Sequence, residues 1–241
     1  MKRAILYLIP STLGDTPAEM VLPNYNNEII LSLKHFLVED LRSARRFLKK
    51  TAPQIVIDEL SFTELNEHTT AIEMSDMLRV MEDGQSMGII SEAGCPAVAD
   101  PGAEVVAMAH RKGYKVAPLV GPSSVIMSLM ASGLNGQSFA FNGYLPVEAP
   151  KRAERIKALE LRTYAEGATQ IFIETPYRNS QLFDDLLRHC RPSTMLCLAC
   201  NISCRDEFIL TMTVKDWAAH KPDLHKKPAI FLLGAGLQLY K

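Results

Sequence analysis

SEAGCPAVADPG, residues 91–102, is the stretch that says most about the fold and the site. The apolar run before it, Ser86–Ile90, predicts a buried strand. The end of the stretch predicts the start of a helix, with Asp100 as the N-cap residue and Pro101 at the first helical position. Its beginning places an acid, Glu92, directly after the strand and then small residues, which allow a ligand to approach the backbone closely. Turn chemistry alone explains the end of the stretch well and its beginning poorly.

Strands and helices alternate on both sides of this stretch. The periodicity predicts strands over 4–9, 35–38, 54–57, 86–90, 115–119, 139–144, 169–174, 194–199, 207–214 and 229–233. It predicts helices over 26–33, 41–50, 70–82, 102–112, 120–132, 151–165 and 177–189, with a short one near Trp217. Such alternation is typical of βαβ units. We therefore expect two α/β domains with mostly parallel or mixed sheets, covering residues 1–120 and 121–241.

Composition and charge limit the class of protein. Lys and Arg number 26 against 27 Asp and Glu, so that the net charge is −1, and 47% of the residues are apolar. These values exclude a strongly basic nucleic-acid coater, an acidic disordered chain and a disulfide-dense small domain. They leave room for RNA binding through a local basic patch. The apolar run at Val125–Met130 is far shorter than the roughly 20 residues of a membrane-spanning helix. We expect a soluble, cytoplasmic protein without membrane contact.

Three of the five cysteines, Cys197, Cys200 and Cys204, have a spacing that could suggest a metal or cluster site. The strand predicted there is the stronger interpretation. Successive side chains on a strand point to opposite faces, so that Cys197 and Cys200 would diverge. An obvious fourth ligand is also missing. We therefore expect no metal, and reduced cysteines that pack as small apolar residues.

Two further strand ends carry residues suited to a ligand, and ligands of open α/β sheets bind outside the carboxyl ends of strands. Pro10–Asp15 follows the first strand, where a plain turn explains Gly14 and Asp15 as well as a site does. Gly121–Ser124 precedes an apolar helix. Its backbone N–H groups and two hydroxyls suit an anionic or polar group, although simple N-capping explains them equally.

The order of the motifs along the chain is more specific than any one of them. It resembles the tetrapyrrole methylase family of S-adenosylmethionine (SAM)-dependent methyltransferases. Within that family it is most similar to the branch that methylates the 2′-oxygen of a cytidine ribose in bacterial small-subunit ribosomal RNA. Besides the three loops above, the matching segments are Val38-Glu39-Asp40-Leu41-Arg42, Asn66-Glu67-His68, Phe141-Asn142-Gly143-Tyr144-Leu145-Pro146 and Glu174-Thr175-Pro176-Tyr177-Arg178.

The resemblance implies two α/β domains with SAM in the cleft between them, usually in a homodimer. It implies ribosomal RNA or the small ribosomal subunit as the substrate. The SAM contacts that it implies are Pro10, Glu92, Ala93, Gly94, Val98, Ser123, Ser124, Leu145, Pro228 and Ala229.

This sequence departs from the ribosomal pattern at several positions. Glu92 replaces an Asp, Cys95 replaces a Thr, and the first loop is two residues shorter. The charged R-E-L-T-K segment of that branch falls on residues 200–204, which carry no charge. These changes bear on the RNA substrate more than on the SAM site. Two alternatives therefore stay open, a methyltransferase of a small molecule such as a tetrapyrrole and a SAM-binding module without catalysis.

Methylation of a ribose hydroxyl calls for a base or for stabilisation of the developing alkoxide. Structural roles compete for each candidate, since an acid before Leu41 can cap a helix and an acid four residues from an arginine can form an ion pair. Two basic stretches, at 42–50 and 151–157, could hold phosphates, but the second also carries acids and could be a solvated helix face. The candidate bases are Glu39, Asp40, Glu67, His68 and Glu174, and the candidate substrate anchors are Arg42 and Arg178.

Overall fold

The computed structural model describes residues 4–66 and 68–236. The chain divides into two compact units, unit 1 (Met1–Ser123) and unit 2 (Ser124–Lys241). Each is an α/β unit built on a five-stranded sheet. The expected fold class, two α/β units with mostly parallel or mixed sheets, is confirmed.

Unit 1 has a fully parallel sheet in the order β3-β2-β4-β1-β5. Both of its faces are covered, because neighbouring residues of one strand belong to different apolar clusters. Phe36 and Val38 pack with α2 and α3, whereas Leu37 packs with α4 and α5. Burial on both faces explains the continuous apolar runs in these strands. The elements are β1 (Ile5–Ile9), α1 (Ala18–Val21), α2 (Asn24–Ser32), β2 (His35–Val38), α3 (Leu41–Thr51), β3 (Ser61–Glu64), α4 (Ala71–Met77), β4 (Met87–Ile90), α5 (Gly102–Arg111) and β5 (Lys115–Pro118), with 3-10 turns at Ile57–Glu59 and Arg79–Met81.

Unit 2 has a mixed sheet in the order β6-β7-β10-β8-β9, in which only β6 and β7 pair in parallel. Its largest apolar cluster surrounds Trp217, whose indole N–H donates to the carbonyl of Leu196 at 2.8 Å. The elements are α6 (Ser124–Ser132), β6 (Phe139–Tyr144), α7 (Ala149–Glu166), β7 (Thr169–Ile173), α8 (Asn179–His189), β8 (Met195–Cys200), β9 (Phe208–Thr213), α9 (Val214–Trp217) and β10 (Ala229–Gly234).

Three local predictions are wrong. The strand expected at 54–57 is absent, because Ile55 packs under the sheet from a loop and a 3-10 turn follows, whereas the strand is β3. The helix expected at 70–82 ends at Met77 and is followed by a 3-10 turn. Asp100 is not an N-cap residue, since α5 begins at Gly102 after Pro101; its carboxylate instead accepts the N–H groups of Ala97 and Gly102 at 2.7 and 2.8 Å.

The strand expected around the cysteines of unit 2 is confirmed as β8. Cys197 belongs to the apolar cluster on one face of the sheet and Cys200 to the cluster on the other face, so that their thiols diverge as expected. Within residues 4–66 and 68–236, no group of His, Cys, Asp and Glu side chains could hold a metal ion. Over the same residues, no helix is both long enough and apolar enough to span a bilayer.

Candidate active site at the carboxyl edge of the first sheet

The topology of unit 1 creates a crevice beside two adjacent strands. In the order β3-β2-β4-β1-β5, the chain leaves β1 towards β2 and leaves β4 towards β5, which are opposite directions across the sheet. Loops that leave neighbouring parallel strands in opposite directions part from each other at the carboxyl ends, where open α/β sheets bind ligands. The register aligns these ends, since Ile90 pairs with both Ile9 and Val38.

A pocket of about 440 Å³ lies at this edge. We call it the edge pocket. Three strand-end loops and one side of α3 line it, so that each wall comes from a segment that the sequence singled out. Its lining residues are Ser11, Thr12, Leu13, Gly14, Asp15, Glu39, Asp40, Ser43, Ala44, Arg46, Phe47, Lys50, Ile90, Ser91, Glu92 and Ala93.

The loops after β1 and β4 are fixed to each other through Gly94. Its carbonyl accepts the backbone N–H of Ser11 and the hydroxyl of Ser91, both at 3.0 Å. Gly94 has a φ of +79°, and a Cβ there would lie 3.1 Å from Leu13. The position therefore favours glycine both for its backbone conformation and for its close neighbour. As a result, Glu92 and Ala93 are held exposed at the rim of the pocket.

The hydroxyl of Ser11 is a site feature that the sequence did not reveal. The residue is 3% exposed and lines the edge pocket, yet its Oγ has no hydrogen-bond partner among the residues that the structure describes. Leaving such a group unpaired costs about 1–3 kcal/mol. A polar ligand atom in the pocket would satisfy it.

Pro10 is packed against the chain that follows β5. A Cβ on Gly121 would lie 2.3 Å from the Cβ of Pro10 and 3.1 Å from Leu22. The ring of Pro10 cannot turn away, so that the backbone itself would have to shift. We expect Gly121→Ala to lower the free energy of unfolding by about 1–3 kcal/mol, as overpacking does. Urea denaturation measures this, with Gly136→Ala as the control because no atom lies within 4 Å of that site. Equal stability of the two variants would contradict the prediction.

Two adjacent carboxyl groups at the end of β2 lie in opposite environments. Burial raises the pKa of Glu39, and the nearby charges of Asp100 and Glu92 raise it further, against the hydrogen bond from the N–H of Glu92 to its Oε2 at 3.2 Å. The pKa of Asp40 is lowered because its carboxylate accepts the N–H of Ser43 at 2.7 Å as the N-cap of α3. Asp40 thus has the capping role, while Glu39 is free of it and suits proton transfer.

The other candidates of unit 1 lie away from the lining of the edge pocket. His68 is exposed in the turn after β3, and its N–H donates to Asn66. Glu67 lies outside the described residues. Val98 is half exposed in the loop before α5, and Ser123 is partly buried at the end of the unit. Their roles stay predictions.

Two of the candidates of unit 2 form an ion pair. Glu174, at the end of β7, has a side chain that is 1% exposed, and its Oε1 accepts the Nη2 of Arg178 at 2.6 Å and the N–H of Thr175 at 2.7 Å. This ion pair leaves part of the guanidinium exposed. Leu145 is buried in the core of the unit. The remaining three are Ser124, partly buried at the start of α6, Pro228, exposed before β10, and Ala229, buried at its first position.

One basic stretch differs from the expectation. Arg152, expected on a phosphate-binding surface, is 2% exposed. It pairs with Asp185 of α8 at 2.7 Å and donates to the carbonyls of Pro146 and Val147. Since Asp185 lies 33 residues away in the sequence, the spacing of the basic residues could not reveal the ion pair. Arg152 fixes the loop after β6 and does not face a phosphate.

Several solved structures of methyltransferases are similar to this chain in fold. They include CobJ (TM-score 0.64, 13% identity, 97% of this chain and 94% of that one) and the cobalt precorrin-4 methyltransferase CbiF (TM-score 0.61, 17% identity, 98% and 96%). Uroporphyrin-III-C-methyltransferase from Thermus thermophilus has a TM-score of 0.56 at 18% identity, with 97% of this chain and 93% of that one covered. The chain has the tetrapyrrole methylase fold.

The curated sequence relatives of this chain are named as methyltransferases of ribosomal RNA. Ribosomal RNA small subunit methyltransferase I of Vibrio cholerae is 32% identical over 76% of this chain and 59% of its own length. The same-named protein of Halalkalibacterium halodurans is 32% identical over 77% and 60%. The chain thus spans about three fifths of the length of these two relatives. No family model matches the chain. The resemblance to the tetrapyrrole methylase family, and to its ribosomal branch, is confirmed.

Proposed function

We propose that this chain is a SAM-dependent methyltransferase that transfers a methyl group to a ribose hydroxyl of ribosomal RNA. The observation that carries the proposal is the edge pocket, where the loop of Glu92 and Ala93 meets Glu39. The names of the sequence relatives support the RNA substrate over the tetrapyrrole alternative, because likeness to the tetrapyrrole enzymes is confined to the fold. By the same resemblance, we infer a homodimer that works in the cytoplasm.

The residues around the pocket fit SAM. Four carboxylates and two cationic side chains line it, which suits a ligand with an ammonium and a sulfonium group and one carboxylate. The unpartnered hydroxyl of Ser11 offers one polar contact, and the backbone beside Gly94 offers close approach. In this proposal Pro10 and the Glu92–Gly94 loop hold the cofactor, with the remaining contacts that the resemblance implies.

SAM supplies an electrophilic methyl group, and alignment of the acceptor with that group accounts for much of the catalysis. The chain's own contribution to the chemistry is a proton acceptor. Glu39 is half-buried at the pocket wall, with a raised pKa that brings it closer to neutrality. It takes the proton of the acceptor hydroxyl, while Arg42 and Arg178 anchor the substrate.

Methyl transfer from tritiated SAM to undermethylated small ribosomal subunits tests the proposal, together with titration calorimetry of SAM. We expect micromolar SAM binding and label in ribosomal RNA at a linkage that resists alkaline hydrolysis, as a 2′-O-methylated one does. Label in a tetrapyrrole acceptor instead would identify the small-molecule alternative. SAM binding without transfer to either acceptor would identify a binding module.

Glu39→Gln separates a catalytic role of Glu39 from a structural one. Glutamine still accepts the N–H of Glu92 but takes up no proton, and we expect methyl transfer to fall by about 100-fold or more, within the usual range for loss of a general base.

The same variant also tests the raised pKa. Because the folded protein raises the pKa of Glu39, this carboxyl favours folding at low pH and loses that effect as pH rises through its folded pKa. The variant should therefore be more stable than the parent at neutral pH, and the difference should vanish at about pH 4. Chemical denaturation at both pH values measures this; full activity would exclude Glu39 as the base.

A further inference from the structure

One face of α3 carries five exposed cations and no acid. They occupy positions i, i+3, i+4, i+7 and i+8, which share one side of a helix and form a stripe about 12 Å long. The net charge of the whole chain is −1, so that this concentration of positive charge is local. We call it the α3 basic face: Arg42, Arg45, Arg46, Lys49 and Lys50.

The three arginines of this face keep their charge available. None of them makes a salt bridge with a carboxylate in the described part of the chain. Arg45 lies with its guanidinium carbon 5.4 Å from the centre of the Phe62 ring, which orders the side chain without neutralising it. A guanidinium held in this way can still bind a phosphate with two parallel hydrogen bonds.

The two lysines are engaged more weakly. Lys49 donates to the carbonyls of Pro53 and Ile55, which leaves its charge uncompensated. Lys50 pairs with Asp15 at 3.0 Å, but both side chains are largely exposed, and surface pairs of this kind contribute little. The α3 basic face is therefore a row of charges without a protein partner of comparable strength.

The α3 basic face also extends to the candidate active site. Arg46 and Lys50 line the edge pocket, as does Ser43 from the same helix. A strand whose phosphates lie on Arg42 and Arg45 would therefore bring its next nucleotide to the mouth of the pocket, where Glu39 lies. The N-cap residue of α3, Asp40, is the sequence neighbour of Glu39, so that α3 joins the row of cations to the proposed proton acceptor.

The basic stretch on α7 has none of these properties. Lys151 pairs with Glu148 at 2.5 Å, Arg152 is buried, and Arg155 donates to Asn142 at 3.0 Å. Only the first of the two stretches is an uninterrupted, accessible cationic surface.

We propose that the α3 basic face binds the phosphate backbone of the RNA substrate and directs the acceptor nucleotide into the edge pocket. This inference rests on the proposed function, since it names the surface through which the RNA is held.

Fluorescence anisotropy with a short labelled RNA hairpin, measured over a range of salt concentrations, tests it on the full chain. We expect Arg42→Ala/Arg45→Ala, which leaves the lining of the edge pocket intact, to weaken binding about tenfold and to lower the slope of log K against log salt by about 2, one for each phosphate contact. The matched control, Lys151→Ala/Lys157→Ala on α7, removes the same charge and should bind as the parent does. In methyl transfer, the α3 variant should raise KM for the ribosomal subunit and leave kcat unchanged.

Calorimetry with SAM separates failure of this inference from failure of the proposed function. The α3 variant should bind SAM as the parent does, which also shows that it is folded. If the two double variants lose RNA affinity equally, or neither loses any, the α3 basic face is not the RNA surface, even where the parent methylates ribosomal RNA. Equally tight, α3-dependent binding of the parent to anionic phospholipid vesicles would overturn the assignment to RNA. An absence of SAM binding and of transfer by the parent would overturn the proposed function itself.

Discussion

Arg152→Met should lower the free energy of unfolding of unit 2 by about 3 kcal/mol. The substitution removes one partner of a buried ion pair. Among the described residues, Asp185 then keeps one salt-bridge partner, the largely exposed Arg188 at 3.1 Å. It also removes the donor to the carbonyls of Pro146 and Val147. Breaking one side of a buried pair is costly because the remaining charge stays in a poorly solvated place. Denaturant unfolding followed through the fluorescence of Trp217, which lies in the core of the same unit, measures the loss.

The double variant Arg152→Met/Asp185→Leu makes this prediction specific. It removes both charges at once, and we expect it to recover most of the stability, since well-packed apolar residues often replace a buried pair at little cost. Arg162→Met is the single control, because Arg162 pairs with Glu166 at the exposed surface of the same helix. If Arg162→Met and Arg152→Met cost the same, the buried pair has no special role in unit 2.

Ala93→Arg should reduce the affinity for SAM by at least about 100-fold, equivalent to about 2.7 kcal/mol. Ala93 is exposed at the rim of the edge pocket, and a long cationic side chain there would both fill the space and repel a cationic ligand. The control, Ala107→Arg, adds the same side chain to an exposed position of α5 outside the pocket lining. Calorimetry with SAM and circular dichroism of both variants test the prediction. Unchanged affinity in a folded Ala93→Arg variant would place the cofactor elsewhere.

The parts of the fold that the sequence predicts well are those buried on a whole face. β1 and β4 are apolar throughout, and the amphipathic α3 has its predicted start at Leu41. β3 was not predicted, because it is an edge strand in which only Phe62 is half-buried and no apolar run marks it. The apolar residues at 55–57 led to the wrong prediction of a strand over 54–57, because a loop can also bury one of its residues, here Ile55.

The residues of the candidate site also divide into those that the sequence predicts and those that it does not. Glu39 and the Glu92–Gly94 loop were predicted because each follows a strand, and parallel strands bring their carboxyl ends to one edge. The unpaired hydroxyl of Ser11 could not be predicted in this way. It is unpaired because no hydrogen-bonding atom of another described segment reaches it, and the spacing of residues along the chain does not show this. The burial of Arg152 likewise depends on Asp185 of α8, which lies 33 residues further along the chain.

Three buried cysteines of unit 2 can report how often that unit opens. Burial raises the pKa of Cys190 to about 12 and those of Cys197 and Cys200 to about 11, so that almost none of these thiols is ionised at neutral pH. Since the thiolate is the reactive form, the folded unit should resist alkylation and oxidation at all three positions. Modification would then wait for transient opening, and its rate would report how often the second sheet comes apart, with Cys197 and Cys200 recording the two faces of a single strand.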